Sequence, residues 1–268
     1  MLLVGLVVFI THTVESITGF GCTVLAFPFV IFLMKDLEQA KIILSILAWM
    51  LAAYFVVTKF RYINWKQFCI IILLAGFGMP IGMLIFQHLD TAILKKLLGI
   101  FIVFSAAIQL YKCFFGNRLK STQPSQIHKD SHGSNKIRVH LQNLFYLCAN
   151  MLLKYTGYVF LFAGGIIHGA FAAGGPLVVL YSAGKMPEKA QFRATMCLLW
   201  TALNTVLMIQ YMLEKKLNLE TGRNLLFLIP FLVAGIIMGE AIHKKVNEAF
   251  FKKIVFASLL VVGVVMVF

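Results

Sequence analysis

The chain has 268 residues, of which 60% are hydrophobic and only 13% charged, with a formal net charge of +14. Soluble domains hold roughly 45–50% apolar and about 25% charged residues, so this balance excludes one and describes a polytopic membrane protein. The charge does not point to nucleic acid, because lysines and arginines fall in short gaps between apolar runs, where they set topology.

At about 20 residues per crossing helix there is room for roughly eight apolar segments and little for a soluble domain. The first run, from Met1 to Met34, lacks the basic region and cleavage site of a signal peptide and is expected to be retained. It is broken at Thr18-Gly19-Phe20-Gly21-Cys22-Thr23. After a gap with Lys35, Asp36, Glu38 and Lys41, the next helix is expected from about Ile42 to Thr58. The gap Lys59 to Lys66 is basic and aromatic, as at a membrane interface. A third run extends from Gln67 to about His88, and a fourth from Leu94 to about Phe115. Gly116 to His140 is polar and reads as a basic cytoplasmic linker, dividing an N-terminal repeat (1–115) from a C-terminal one (141–268).

Leu141 to Leu153 reads as an interfacial helix or the lower end of the next segment. The run from Tyr158 to Gly184 is then broken at Ala172-Ala173-Gly174-Gly175-Pro176-Leu177. Three more runs follow, about Ala194 to Leu213, Asn224 to Ile242 and Ile254 to Phe268. The five cysteines show no CxxC or CxxH spacing, so neither a disulfide framework nor a metal site is expected, and no cofactor.

Internal similarity relates the halves. Gly78 and Gly82 followed by Lys95-Lys96 recur as Gly235 and Gly239 followed by Lys252-Lys253, at a constant offset of 157. The fold expected is all-α, with two repeated halves, each a glycine-broken helix or hairpin plus three transmembrane helices. If each break crosses the membrane once, the basic residues of the gaps divide evenly between the two sides. If each break turns back as a hairpin, most lie on the linker's side, which favours inverted halves.

Unpaired backbone in hydrocarbon costs several kcal/mol per group, so such breaks persist only where buried in protein or lining a wet cavity. A half-helix that starts at a break presents free N–H groups and a positive dipole end, which suits a small anion. Thr18, Gly19, Gly21, Cys22 and Thr23 in the first half, and Gly174, Gly175 and Pro176 in the second, are therefore candidate substrate-binding residues. The glycines could instead serve close helix packing alone. Arg193 could draw an anion inward or mark topology, and Asn204 could donate to an oxyanion or bridge helices.

Ionisable groups at membrane depth are functional candidates. His12 and Glu15 lie three apart and could pair on one helix face, as a packing lock or as a route for a coupling proton. Glu15 lies six residues before Gly21, as His168 lies six before Gly174, so duplication gives them equivalent positions. No catalytic set is present: there is no GxSxG, HExxH or P-loop, and the chain is not read as an enzyme. An intramembrane enzyme would need Cys22 as its nucleophile.

At the breaks the sequence resembles the TauE/SafE sulfite exporter family of membrane permeases. Gly165 to Leu177 is the closer match to its glycine-rich motif, followed by Met186-Pro187-Glu188-Lys189-Ala190, Ala194-Thr195 and Asn204. In the first half Gly19-Phe20-Gly21-Cys22 departs from the family's glycine triplet, with Pro28 in a suitable place. The resemblance implies a multi-pass transporter, in the cell membrane, for sulfite, a sulfonate or a related organosulfur anion. It sits beside a second reading from the residues, a non-transporting membrane scaffold or assembly protein.

Overall fold

A computed structural model describes residues 1–90, 156–186 and 188–243, with scattered helical positions between 92 and 107. All regular structure among the described residues is helical. The runs expected from Leu94 to Phe115, Leu141 to Leu153 and Ile254 to Phe268, and the linker 116–140, lie wholly or largely outside the described residues, and with them the boundaries between the proposed halves.

The helices are α1 (Leu2–Thr18), α2 (Cys22–Met34), α3 (Leu37–Lys59), α4 (Trp65–His88), α5 (Thr156–Phe171), α6 (Gly175–Lys185), α7 (Lys189–Leu213) and α8 (Leu219–His243). Four are long and apolar enough to cross a membrane: α3 with the short 3-10 turn that follows it, α4, α7 and α8. At 1.5 Å per residue, α1 with 17 residues and α2 with 13 fall short of a hydrocarbon core about 30 Å thick. α1 and α2 pack against one another, so the first broken run folds as two short arms.

Several helices begin earlier than expected, and at α3 and α4 a side-chain cap sets the start. The Asp36 side chain accepts from the backbone N–H groups of Glu38 and Gln39, so α3 starts at Leu37 and carries Lys41 within it. Asn64 caps α4 in the same way through the N–H of Gln67. Charged residues near Lys41 and Arg193, read in sequence as parts of gaps, thus occupy the first turns of α3 and α7.

α3 and α7 form the centre and run antiparallel. Asn64 N–H donates to Thr195 Oγ1 at 2.9 Å near one end, Trp49 Nε1 donates to Thr205 Oγ1 at 2.9 Å in the middle, and Ser45 Oγ lies 3.5 Å from Tyr211 OH near the other end. Ion pairs close both ends. Lys59 and Arg193 lie 4.0 and 3.6 Å from Glu240 at one, and Lys216 bonds Glu38 at 2.6 Å and Glu214 at 2.5 Å at the other.

The broken arms are held from outside by glycine contacts. A side chain at Gly78 would strike Phe162 and Ile166 of α5, and one at Gly82 would strike Ile166 and Ala170. One at Gly235 would meet Phe9 and Thr13 of α1, and one at Gly239 would strike Thr13 and Ser16. Small residues let backbones approach closely, which replaces the hydrophobic drive missing between helices in lipid. Gly82→Ala is expected to lower stability in detergent by about 1–3 kcal/mol through overpacking. Gly222→Ala, at a position with open space around it, should not lower it; thermal unfolding of the two purified variants checks the contrast.

Candidate functional site between the two breaks

The two breaks turn the chain by different means. In the first, Gly19 (φ 81°) ends α1 with its N–H on Glu15 O, and Gly21 (φ 101°) opens α2. Only glycine adopts such values without cost. In the second, the left-handed residue is Ala172 (φ 53°), whose N–H donates to His168 O at 2.7 Å. Gly174 has ordinary helical angles, and it is glycine for space, since a Cβ there would strike Gly164 O and lie 2.9 Å from His168 Cβ. The turning role expected of the second glycine pair is therefore taken by an alanine held in a sparsely populated region, a form of strain that clusters at functional sites.

The breaks meet. A Cβ built on Gly175 would lie 3.8 Å from Phe20 Cβ and from Trp200 Cζ2, and 3.9 Å from Gly21 N. Between them lies a cavity with about 20 Å³ of water-accessible space. Glu15, Gly21 and Thr23 line it from the first break, and His168, Ala172, Ala173 and Gly175 from the second. Ala48 and Val24 contribute apolar wall, and Trp200 and Asn204 reach in from α7.

Most polar groups here are matched. Glu15 Oε2 accepts from Cys22 N–H at 3.1 Å, so a carboxylate occupies the seat that the start of α2 offers an anion. Trp200 Nε1 donates to Gly19 O at 3.0 Å, and its ring stacks on His168 with centroids 5.5 Å apart and planes at 24°. Among the described residues, neither ring nitrogen of His168 nor Oδ1 of Asn204 has a hydrogen-bond partner, although both side chains are buried. A buried polar group without a partner costs about 1–3 kcal/mol, so these atoms hold unused hydrogen-bonding capacity at the cavity.

Other candidates lie around the cavity. His12 is buried, with Nδ1 2.9 Å from Val8 O; a carbonyl can only accept, so Nδ1 carries the proton, and Nε2 is without a partner among the described residues. The helix face shared by His12 and Glu15 thus holds two groups with separate partners, Val8 O and Cys22 N–H. Thr18 Oγ1 donates to Val14 O and lies 2.8 Å from Phe20 O, closing the end of α1. Cys22 is a buried free thiol 3.6 Å from Thr23 Oγ1, and Pro176 lies in the first turn of α6.

Arg193 stands off the cavity lining: it donates to Ser16 O at 2.9 Å, lies over the Phe55 ring at 4.5 Å, and neighbours Glu240. Lys41 is its counterpart at the other end of the α3–α7 pair, with Nζ donating to Gly169 O at 2.8 Å. Sequence reasoning missed Lys41 and Trp200. The one available signal for Lys41 was its place relative to Glu38-Gln39-Ala40, which matches that of Arg193 relative to Glu188-Lys189-Ala190 to within two residues.

Outside the spans, burial opposes charge on both Glu214 and Lys216. Their mutual hydrogen bond nevertheless holds the carboxyl below its ordinary value, helped by Gln210 and Gln87, and the ammonium above its own, helped by Glu38.

The geometry separates the two glycines of the second break. Gly174→Ala is expected to impair folding, seen as a lower thermal midpoint, whereas Gly175→Ala, whose Cβ meets only ordinary van der Waals contacts, should leave the fold intact. Equal thermal shifts in the two variants would contradict this assignment.

The family model of the sulfite exporter TauE/SafE matches residues 4–266. No curated protein and no solved structure matches the chain. With nearly its whole length matched, the chain belongs to the TauE/SafE family, and with four helices among the described residues long and apolar enough to cross a membrane it is an integral membrane protein of a transporter family.

Proposed function

We propose that this member of the sulfite exporter family is a secondary transporter in the cell membrane that moves sulfite, a sulfonate or a related organosulfur anion. The substrate binds between the two broken helices and is exposed to each side in turn. The observation that carries this reading is the meeting of both breaks at one buried cavity, into which the unpartnered atoms of His168 and Asn204 project. About 20 Å³ accommodates roughly one water, so an oxyanion requires the arms to part, as alternating access demands.

An inverted repeat would fit the same reading. Antiparallel α3 and α7 are the pair such an inversion would relate, and Gly78 with Gly82 on α5 are matched by Gly235 with Gly239 on α1 at the repeat's offset. Each half would then hold the other's broken arm, and the arms could rock about the glycine contacts.

A coupling proton follows from Glu15. Its carboxylate shares the cavity with the substrate and would repel an anion, so a proton on Glu15 favours binding. The groups around it are Cys22 of α2, His168 of α5 and Cys197 of α7, with His12 one turn back on α1 and Arg193 bonded to the neighbouring Ser16 O. His168 at the other break faces Asn204 and is also within the field of Lys41.

Thermal stabilisation of the purified protein by sulfite, sulfate, thiosulfate, taurine or acetate tests the function. No response to any of the five would favour the scaffold reading. In proteoliposomes, uptake should fall as pH rises and Glu15 loses its proton. Glu15→Gln and His168→Ala should each flatten that pH profile, while exchange of labelled anion continues. Wild-type pH dependence in both variants would assign these residues to structure alone.

A further inference from the structure

A buried cation in a membrane protein is expensive and normally paired. Lys41 is 2% exposed, and among the described residues no carboxylate lies within 4.0 Å of its ammonium. Its partners are Gly169 O at 2.8 Å and the face of Phe86, whose centroid is 3.9 Å away, with the Tyr211 ring further off at 6.0 Å. An ammonium has three donors, and one carbonyl with two ring faces leaves capacity for an anion.

The surroundings give that capacity a direction. Phe86 borders a vestibule of about 540 Å³ at the end of the bundle, lined also by Lys35, Asp36, Glu38, Gln87 and Lys216. The vestibule's own charges cancel: Asp36 caps α3, Glu38 is bonded to Lys216, and Lys35 balances Asp36. Glu214, which shares Lys216 with Glu38, adds a negative charge beside them, and Lys41, beneath Phe86, is a buried cation with no carboxylate within 4.0 Å among the described residues. On its other side Lys41 holds Gly169, the residue after His168, which lines the central cavity.

Arg193 sharpens the contrast. It holds Ser16 O at the opposite end of α3 and α7, as Lys41 holds Gly169 O, but Glu240 stands 3.6 Å from its guanidinium. Of these two cations Arg193 has a carboxylate within 4.0 Å, and Lys41 has none that close among the described residues.

Resting on the anion-transport reading above, we propose that Lys41 is a substrate-contacting relay that accepts the anion from this vestibule and passes it to the central cavity. The anion replaces Gly169 O as partner of the ammonium. The last turn of α5 is released from Lys41 in the same step, and His168 with it.

The test is sulfite uptake by the full chain in proteoliposomes, with KM and kcat measured separately. Lys41→Gln is expected to raise the KM for sulfite at least tenfold, and Lys41→Arg to recover most of that loss, as a latch on a carbonyl alone would not require. Phe86→Glu, which sets a carboxylate against Lys41 at the vestibule edge, should raise the KM similarly and serves if Lys41→Gln does not fold. A folded Lys41→Gln or Phe86→Glu with wild-type KM would overturn the relay and leave the transport reading standing. A wild-type protein that takes up none of sulfite, thiosulfate and taurine would overturn both.

Discussion

The structure depends on one constraint: the carbonyls exposed where α1 and α5 stop must be satisfied without bulk water. Each unsatisfied group in hydrocarbon costs several kcal/mol, and the last turn of a helix leaves several carbonyls free. Arg193 takes Ser16 O, Trp200 takes Gly19 O and Lys41 takes Gly169 O. All three donors come from α3 or α7, and positive charge there also complements the negative end of a helix dipole. The central helix pair therefore both fills the core and caps the broken arms, helped at α1 by His243 of α8, whose Nδ1 donates to Ile17 O.

From that arrangement follows the character of the cavity. With the carbonyl ends closed by cations and an indole, the groups left facing inward belong to the starts of α2 and α6 and to two side chains at matching places, Glu15 and His168. One break answers its own free N–H with a carboxylate, whereas the other has an imidazole without a partner among the described residues. The two breaks thus present unlike chemistry to a single space.

Much of this was legible in the sequence. Apolar runs punctuated by basic gaps located the four long helices, and glycine-rich interruptions located both breaks, because lipid permits few alternatives. Glu15 and His168 stood out as ionisable residues inside apolar segments. Lys41 did not, because a lysine near the end of an apolar run reads as a topology marker, and only the Asp36 cap shows that α3 has already begun. Trp200 looked like one more apolar residue, since its indole N–H matters only once Gly19 O is seen beside it. Ala172 was hidden between glycines that seemed sufficient to turn the chain, and a left-handed alanine has no signature in sequence. The linker and the final run fall outside the described residues.

The bond from Arg193 to Ser16 O joins residues 177 apart in the chain. At a synthesis rate of about 5–20 residues per second, α1 is made about 10–40 s before the guanidinium that caps it leaves the ribosome. Throughout that interval the end of α1 has no permanent partner, and lipid cannot supply one. Biogenesis therefore requires that the first arm wait beside water or within the insertion machinery, and that it settle to its final depth only when α7 arrives.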